Sequence, residues 1–332
     1  MVARVPSVEA VHPLAWTARS IIESSAWVFD APAALEPEVR ALEAWSAREA
    51  DPCAALTADS VATPSLDALA AAVAHELDFG SGLAWIRGFA GLSEISLRLV
   101  YLKMGLALGP TIDTYGRLYD VKDSGASYKD MPIPVSQTRE STGMHTDSSG
   151  KDVRPGVIGL ACVRQAPKGG RSRVVSAVQA HEVLREKHPK LLPRLYESFV
   201  RDVVTPGSDR SLERLAANRF PVFSYDGRIG MRYMRYWIEK GHARLGEPLA
   251  PEDLEAFDAL DAALEDPEHV LAFRMAPGDL LFIDNTTTAH DRDAFEDDPA
   301  YPRLMLRLWL NHRAAPKPPR DAVHPTRVPR SS

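Results

Sequence analysis

The spacing of apolar positions changes character part-way along the chain. Over roughly the first hundred residues it is helical. "EPEVRALEAWSAREA" and "SLDALAAAVAHEL" are alanine-rich and amphipathic, and in the second Leu66, Leu69, Val73 and Leu77 share one face. "GLAWIRGF" predicts a strand, and "LSEISLRLVYLKMGLALG" a further helix stopped by glycine and proline. Beyond Gly109 the apolar runs shorten: "TIDTYGRLYDV", "VIGLACV", "SRVVS", "FPVFSYDG", "HVLAFRM", "DLLFIDN" and "RLMLRLWLN" are bounded by turn residues, as strands are. Two helical stretches interrupt them. Ser176 and Gln179 form a capping pattern ahead of "AHEVLREKHPKLLPRLYESF", and "PEDLEAFDALDAALEDPE" is the second. Many short strands on a helical support predict a sandwich or barrel within an α+β chain.

Two segments carry no period. Residues 119–142 are polar and run directly into His145, which fits a lid or binding loop as well as plain surface. Residues 313–332 form a proline-rich basic stretch expected to stay flexible. The expected organisation is one domain over residues 1–312, with 1–108 as mainly helical support and 109–312 as the β core with its insertions.

Composition narrows the partners. The 332 residues are 45% hydrophobic and 25% charged, within the range of globular enzymes. A net charge of -6 argues against a general nucleic-acid binder. Cys53 and Cys162 have no CxxC spacing, so neither a zinc cluster nor a disulfide framework is expected. No apolar run approaches the ~20 residues needed to span a bilayer, and residues 1–20 lack a continuous apolar core. A cytoplasmic protein with small-molecule partners is the expectation.

Candidate chemistry begins at "GMHTDSS". His145 and Asp147 are two apart, and on a strand positions i and i+2 face the same way, so imidazole and carboxylate would converge. An isolated pair of this kind is more often two polar residues on a surface strand. Of the other histidines, His12, His312 and His324 sit in terminal segments, His75, His181 and His188 in helices, and His242 and His269 beside the insertions. His290 differs. It ends "PGDLLFIDNTTTAH", a turn, an apolar strand and a polar exit. Two histidines and one carboxylate from separate strands suit a facial triad on iron(II), which leaves three adjacent positions open. They would also suit a hydrolytic zinc.

In "YPRLMLRLWLN" one face carries Leu304, Leu306, Leu308 and Leu310, and the other Arg303, Met305, Arg307 and Trp309. The leucine face must be core. Two arginines opposite it need water or an anion, and a dicarboxylate at the neighbouring metal would serve.

With these residues in order, the chain from about residue 80 to 312 resembles the iron(II) and 2-oxoglutarate-dependent oxygenases of the taurine dioxygenase and clavaminate synthase-like superfamily. The resemblance includes the "APKGGRS" turn, the "PGDLLFIDN" approach and the "RLMLRLWL" strand. It implies a double-stranded β-helix, a distorted jelly roll, with Fe(II) held by His145, Asp147 and His290 at its mouth. It implies 2-oxoglutarate as co-substrate and dioxygen as oxidant, with succinate and carbon dioxide released and a substrate carbon oxidised, hydroxylation being the leading outcome. By the same resemblance Arg303 matches the arginine that pairs with the far carboxylate of 2-oxoglutarate, and Arg307 a position near the bound acids. Ser172 stands where many members carry a threonine that helps to hold the co-substrate. Related halogenases replace the aspartate of the triad, so Asp147 disfavours halogenation.

The segment "GRIGMRYMRYWIEKGH" offers Arg232, Arg235 and Tyr236 as candidate contacts to an anionic substrate, against a reading in which they are solvated arginines flanking core aromatics. Two competing accounts remain at this point. A zinc hydrolase explains the triad but gives Arg303 no role, and a non-catalytic jelly-roll binding module predicts no dependence on dioxygen.

Overall fold

The computed structural model describes residues 13–127, 133, 135–141, 143–203 and 209–311. The residues from 312 onward, including the expected tail, and part of the candidate lid lie outside that set. In chain order the main strands are β1 (Val28–Asp30), β2 (Leu83–Arg87), β3 (Tyr119–Val121), β4 (Val157–Arg164), β5 (Ser172–Ser176), β6 (Leu271–Phe273), β7 (Leu280–Asp284), β8 (Thr288–Arg292) and β9 (Leu304–Leu310). The main helices are α1 (Leu35–Ser46), α2 (Pro64–Phe79), α3 (Glu94–Leu108), α4 (Ala177–Lys187), α5 (Arg235–Leu245) and α6 (Pro251–Glu265).

Two sheets carry the architecture. One has six strands in the order β1-β2-β7-β4-β9-β3, and the other three in the order β6-β5-β8. Apart from the parallel β1–β2 edge, the pairings in both are antiparallel. Period-two alternation then sorts side chains into layers. On β7, Leu280 and Phe282 join the core beneath α1, α2 and α3, whereas Leu281 and Ile283 face the space between the sheets. On β5, Val174 enters that same interior while Val175 packs outward against α4 and α6. The sequence of layers is therefore helices, sheet, interior, sheet, helices.

The helical support is tied down by specific contacts. Pro64 opens α2, and the Glu38 carboxylate of α1 accepts from the Ser65 and Leu66 N–H groups at 2.7 and 3.1 Å. That satisfies two of the donors a helix start leaves free. Ser93 caps α3 by accepting from Ser96 N–H. Gly105 lets α3 lie directly on the sheet, since a Cβ there would sit 2.0 Å from Leu308 Cδ2.

Several expectations change in detail. "TIDTYGRLYDV" yields only the short β3, and "FPVFSYDG" splits into Arg219–Pro221 and Phe223–Tyr225. In the capping pattern, Ser176 accepts from the Gln179 N–H at 2.9 Å, but α4 stops at His188 and the chain resumes as the 3-10 turn Leu192–Tyr196. The segment after Met234 is α5. No helix among the described residues is long and apolar enough to cross a membrane.

Candidate metal centre and its cavities

His145 does not lie on a regular strand. It forms an isolated antiparallel bridge with His290 of β8, each backbone N–H donating to the other's carbonyl at 3.1 and 2.9 Å. Asp147 follows at the start of a turn. The two-residue spacing therefore converges through a bridge and a turn. Asn285, at the exit of β7, fixes that turn: its Oδ1 accepts from the Asp147 N–H at 2.8 Å, and its amide donates to the Asp147 and Pro155 carbonyls at 3.2 and 2.8 Å. On the next residue, Ser148 takes a left-handed conformation (φ 54°), which costs a residue with a Cβ about 1 kcal/mol. Such strain is retained where the surrounding contacts impose it.

The three side chains meet. Their ligand atoms lie within 4.8 Å of one another, the one His/Cys/Asp/Glu group of this kind among the described residues. His145 Nε2 and His290 Nε2 stand 3.6 and 3.7 Å from Asp147 Oδ1. A metal with donors at ~2.1 Å sets neighbouring ligands ~3.0 Å apart, so a small contraction would seat one. The His145 Nδ1–H donates to the Gly143 carbonyl at 2.9 Å, which turns the Nε2 lone pair inward. His290 Nδ1 is buried with no hydrogen-bond partner among the described residues.

Trp309 completes the arrangement. Its Nε1–H donates to Asp147 Oδ2 at 2.7 Å, leaving Oδ1 for the metal. Arg307 Nη1 lies 3.8 Å from the same Oδ2, and its guanidinium packs over the rings of Tyr115, Tyr119 and Trp309. Burial alone would raise the Asp147 pKa. Hydrogen bonds from both imidazoles and the charge of Arg307 outweigh it and hold the carboxyl well below the ordinary range. For His290 burial wins and lowers the pKa, whereas for His145 burial is outweighed by Asp147, so its pKa lies above the ordinary value. A carboxylate with two buried, inward-facing imidazoles is a nitrogen-rich donor set that fits a divalent transition metal.

Two cavities meet at the metal centre, the first lined by all three ligands and the second by His145 and Asp147. The one between the sheets, about 720 Å³, is lined by Ser172, Val174, Leu281, Ile283, Arg303 and Met305 among others. Arg303 is 4% exposed; its Nε donates to Gln165 Oε1 at 3.2 Å and its guanidinium lies 5.1 Å from the Phe295 ring. No carboxylate pairs with it among the described residues. Burial, with Arg292 adding repulsion, pushes its pKa down to about 10. The Ser172 hydroxyl is likewise without a hydrogen bond to any described residue. The second cavity, about 600 Å³, lies on the other side and includes Tyr115, Ser149, Lys151, Met234, Trp237 and Trp309. Ser136, from the candidate lid, lines both cavities. Its segment is held to β8 by Arg292, which donates to the carbonyls of Thr138, Arg139 and Glu140.

The structure thus brings together His145, Asp147, His290, Ser172, Arg303 and Arg307. It does not bring Arg232, Arg235 and Tyr236 to either cavity. Arg232 lies on the Phe220 ring, 3.9 Å from its centroid. Arg235 is engaged by Glu239, Asp258 and Asp261 at 2.6–2.8 Å, and Tyr236 packs against Trp237. Arg235 and Tyr236 sit on α5 away from the cavity, Arg232 precedes that helix and is taken up by Phe220, and the chain reaches the second cavity through Met234 and Trp237. Trp309, Asn285 and Lys151 escaped the sequence reading. Trp309 alone had left a signal, through its place on the same face as Arg307.

The family model described as "Taurine catabolism dioxygenase TauD, TfdA family" matches residues 47–309. FR-33289 synthase of Streptomyces rubellomurinus (strain ATCC 31215) is 30% identical over 258 residues, covering 73% of this chain and 73% of that one. A uridine-5'-phosphate dioxygenase of a Streptomyces species is 33% identical over 200 residues, 56% of this chain and 66% of that one. Among solved structures, asparagine oxygenase in complex with Fe(II), 2S,3S-3-hydroxyasparagine and succinate is similar in fold, with a TM-score of 0.66 at 16% identity over 86% of this chain and 93% of that one. The non-heme iron oxygenase OrfP in complex with Fe and alpha-ketoglutaric acid gives 0.60 at 16% identity over 86% and 94%. The zinc-hydrolase and non-catalytic readings fall away: the chain belongs to the TauD/TfdA family and is an iron(II)- and 2-oxoglutarate-dependent dioxygenase.

Proposed function

We propose that the enzyme hydroxylates an unactivated C–H bond of a small anionic metabolite, amino-acid-like or nucleotide-like, in natural-product metabolism, within a single catalytic domain over residues 1–312 whose two sheets form a jelly roll. The relatives support that class: one is named for uridine-5'-phosphate, and a fold neighbour was crystallised with hydroxyasparagine. The observation that carries the reading is the shared cavity, where a triad of ligand size lies beside a buried guanidinium that lacks a carboxylate.

In this reading His145, Asp147 and His290 hold the iron. Bound iron supplies the activation of dioxygen coupled to oxidative decarboxylation of 2-oxoglutarate. The chain's own share is placement. Arg303 receives the far carboxylate of the co-substrate, and a guanidinium fork matches that planar group. The Ser172 hydroxyl donates a further hydrogen bond. Leu281, Ile283, Val174 and Met305 exclude water around the pair, which strengthens it. Trp309 keeps Asp147 presenting one oxygen, and Arg307 neutralises charge beside it. The substrate occupies the second cavity, so that its target carbon faces the open side of the triad.

The test is oxygen-dependent succinate release by the iron-loaded protein across a panel of amino acids and nucleoside monophosphates. Release stimulated by members of that panel is expected. Stimulation only by neutral apolar compounds would overturn the substrate class, and no consumption of 2-oxoglutarate would overturn the assignment of the site.

A further inference from the structure

The second cavity contains one charge that the proposed function leaves unused. Its charged lining residues are Asp147, Lys151, Asp202 and Arg307. Asp147 and Arg307 face each other at the metal site. Asp202 is engaged by Arg210 at 3.1 Å and by Arg244. Lys151 is left, half-buried, with no carboxylate or hydrogen-bond acceptor for its ammonium group among the described residues. Burial alone lowers its pKa; no neighbouring charge contributes. An ammonium at a cavity wall with no counter-ion among the described residues is open to an anion brought by a ligand.

A second observation points to the same place. Ser149 is 3% exposed, and its hydroxyl has no hydrogen-bond partner among the described residues. It lines the same cavity. Both residues belong to the turn after Asp147, closed by the Lys151 N–H donating to the Ser148 carbonyl at 3.0 Å and carrying the left-handed Ser148. Lys151 also lines an adjoining cavity of about 950 Å³, so it stands where the two meet, with room beyond it.

We propose that Lys151 and Ser149 form the receptor for the substrate's anionic group, that this group is a phosphoryl oxyanion, phosphate ester or phosphonate, and that the target carbon lies between it and the metal triad. The inference rests on the reading of the second cavity as the substrate side. The co-substrate's carboxylate has its own guanidinium in Arg303, on the far side of the triad, so the lysine is not required there. The choice of anion follows from donor shape. An ammonium is a compact point charge with rotatable donors, suited to a tetrahedral oxyanion, whereas the planar guanidinium that lines this cavity, Arg307, is already engaged by Asp147 and by the rings of Tyr115, Tyr119 and Trp309.

The experiment uses protein loaded with Fe(II) and 2-oxoglutarate without oxygen, titrated calorimetrically with uridine 5'-phosphate, methylphosphonate and inorganic phosphate, with uridine and acetate as controls. At least one phosphoryl probe is expected to bind more tightly than both controls. Lys151→Met should weaken it roughly tenfold to a hundredfold, the worth of one charge-assisted contact, with Lys151→Arg recovering part of the loss and 2-oxoglutarate affinity unchanged. Equal binding by Lys151→Met, acetate binding better than the phosphoryl probes, or no phosphoryl binding by the wild type overturns the proposal. A second measurement needs no variant. Reductive methylation of Lys151, read by mass spectrometry with and without 2-oxoglutarate, should be suppressed by the phosphoryl probe, and undiminished labelling would refute the site. Failure of 2-oxoglutarate itself to bind would instead strike the proposed function, and the labelling result would still decide on Lys151.

Discussion

Replacing Arg303 with methionine should move stability and function in opposite directions. The guanidinium is 4% exposed, and burial drives its pKa from the ordinary 12.5 to about 10. At ~1.4 kcal/mol per pH unit, that depression corresponds to about 3 kcal/mol against folding with the charge in place. The sign follows from the base being harder to protonate when folded: the penalty is complete at neutral pH and fades only as pH rises above about 10. Methionine, of similar length and uncharged, removes it. The variant forfeits the hydrogen bond to Gln165 and the contact with the Phe295 ring, together about 1–2 kcal/mol. In the absence of iron and 2-oxoglutarate the variant should therefore be more stable by about 1–2 kcal/mol, a rise of a few degrees in Tm. Its affinity for 2-oxoglutarate should fall by about 2–5 kcal/mol, roughly 30-fold to several thousandfold, because the far carboxylate would lose its buried partner. Thermal unfolding with and without iron and 2-oxoglutarate reads both effects, since the co-substrate should raise the wild-type Tm and leave that of the variant almost unchanged. A variant that unfolds earlier than wild type yet keeps its 2-oxoglutarate affinity would refute the reasoning.

Three further outcomes are expected. Trp309→Phe keeps an aromatic ring but loses the indole N–H that donates to Asp147 Oδ2, so iron affinity should drop about 10- to 100-fold and stability by about 1–3 kcal/mol; unchanged iron binding would assign the tryptophan to packing alone. Acidification should release iron, because His145, with its raised pKa, must give up a proton to bind the metal. Below the ordinary imidazole pKa of 6.5 each further pH unit costs about tenfold per displaced proton, and a chelator competition that stays flat on acidification below that point would contradict it. Arg235→Ala should cost about 1 kcal/mol of stability through the lost contacts with Glu239, Asp258 and Asp261, leaving the substrate KM unchanged; a large rise in KM would return this residue to the site.

Much of this molecule could be read from residue patterns. α2 and α3 fall where helical spacing predicts them, and β4, β7 and β9 where short apolar runs bounded by turn residues do, because burial selects apolar residues and turns punctuate them. The β9 strand shows both what alternation encodes and where it stops. Its leucine face is core as expected, but the opposite face is buried too, and alternation alone cannot distinguish a solvated polar face from one that lines a cavity. His290 was found by elimination. Its bridge to His145 spans 145 positions, a pairing that local pattern does not encode. Arg232 and Arg235 were misplaced because arginine beside tyrosine describes a packed or outward position as well as an anion site, and only the Phe220 ring under Arg232 and the ion pairs of Arg235 separate the two. Lys151 went unnoticed for the converse reason: its significance lies in having no partner, and absence is visible only in three dimensions.

The most direct test of the account is an anaerobic crystal structure with Fe(II) and 2-oxoglutarate. It should show one iron ligated by His145 Nε2, Asp147 Oδ1 and His290 Nε2, with the far carboxylate of the co-substrate paired to the Arg303 guanidinium. Iron bound elsewhere, or that carboxylate resting on Arg307 with Arg303 still unpaired, would contradict it.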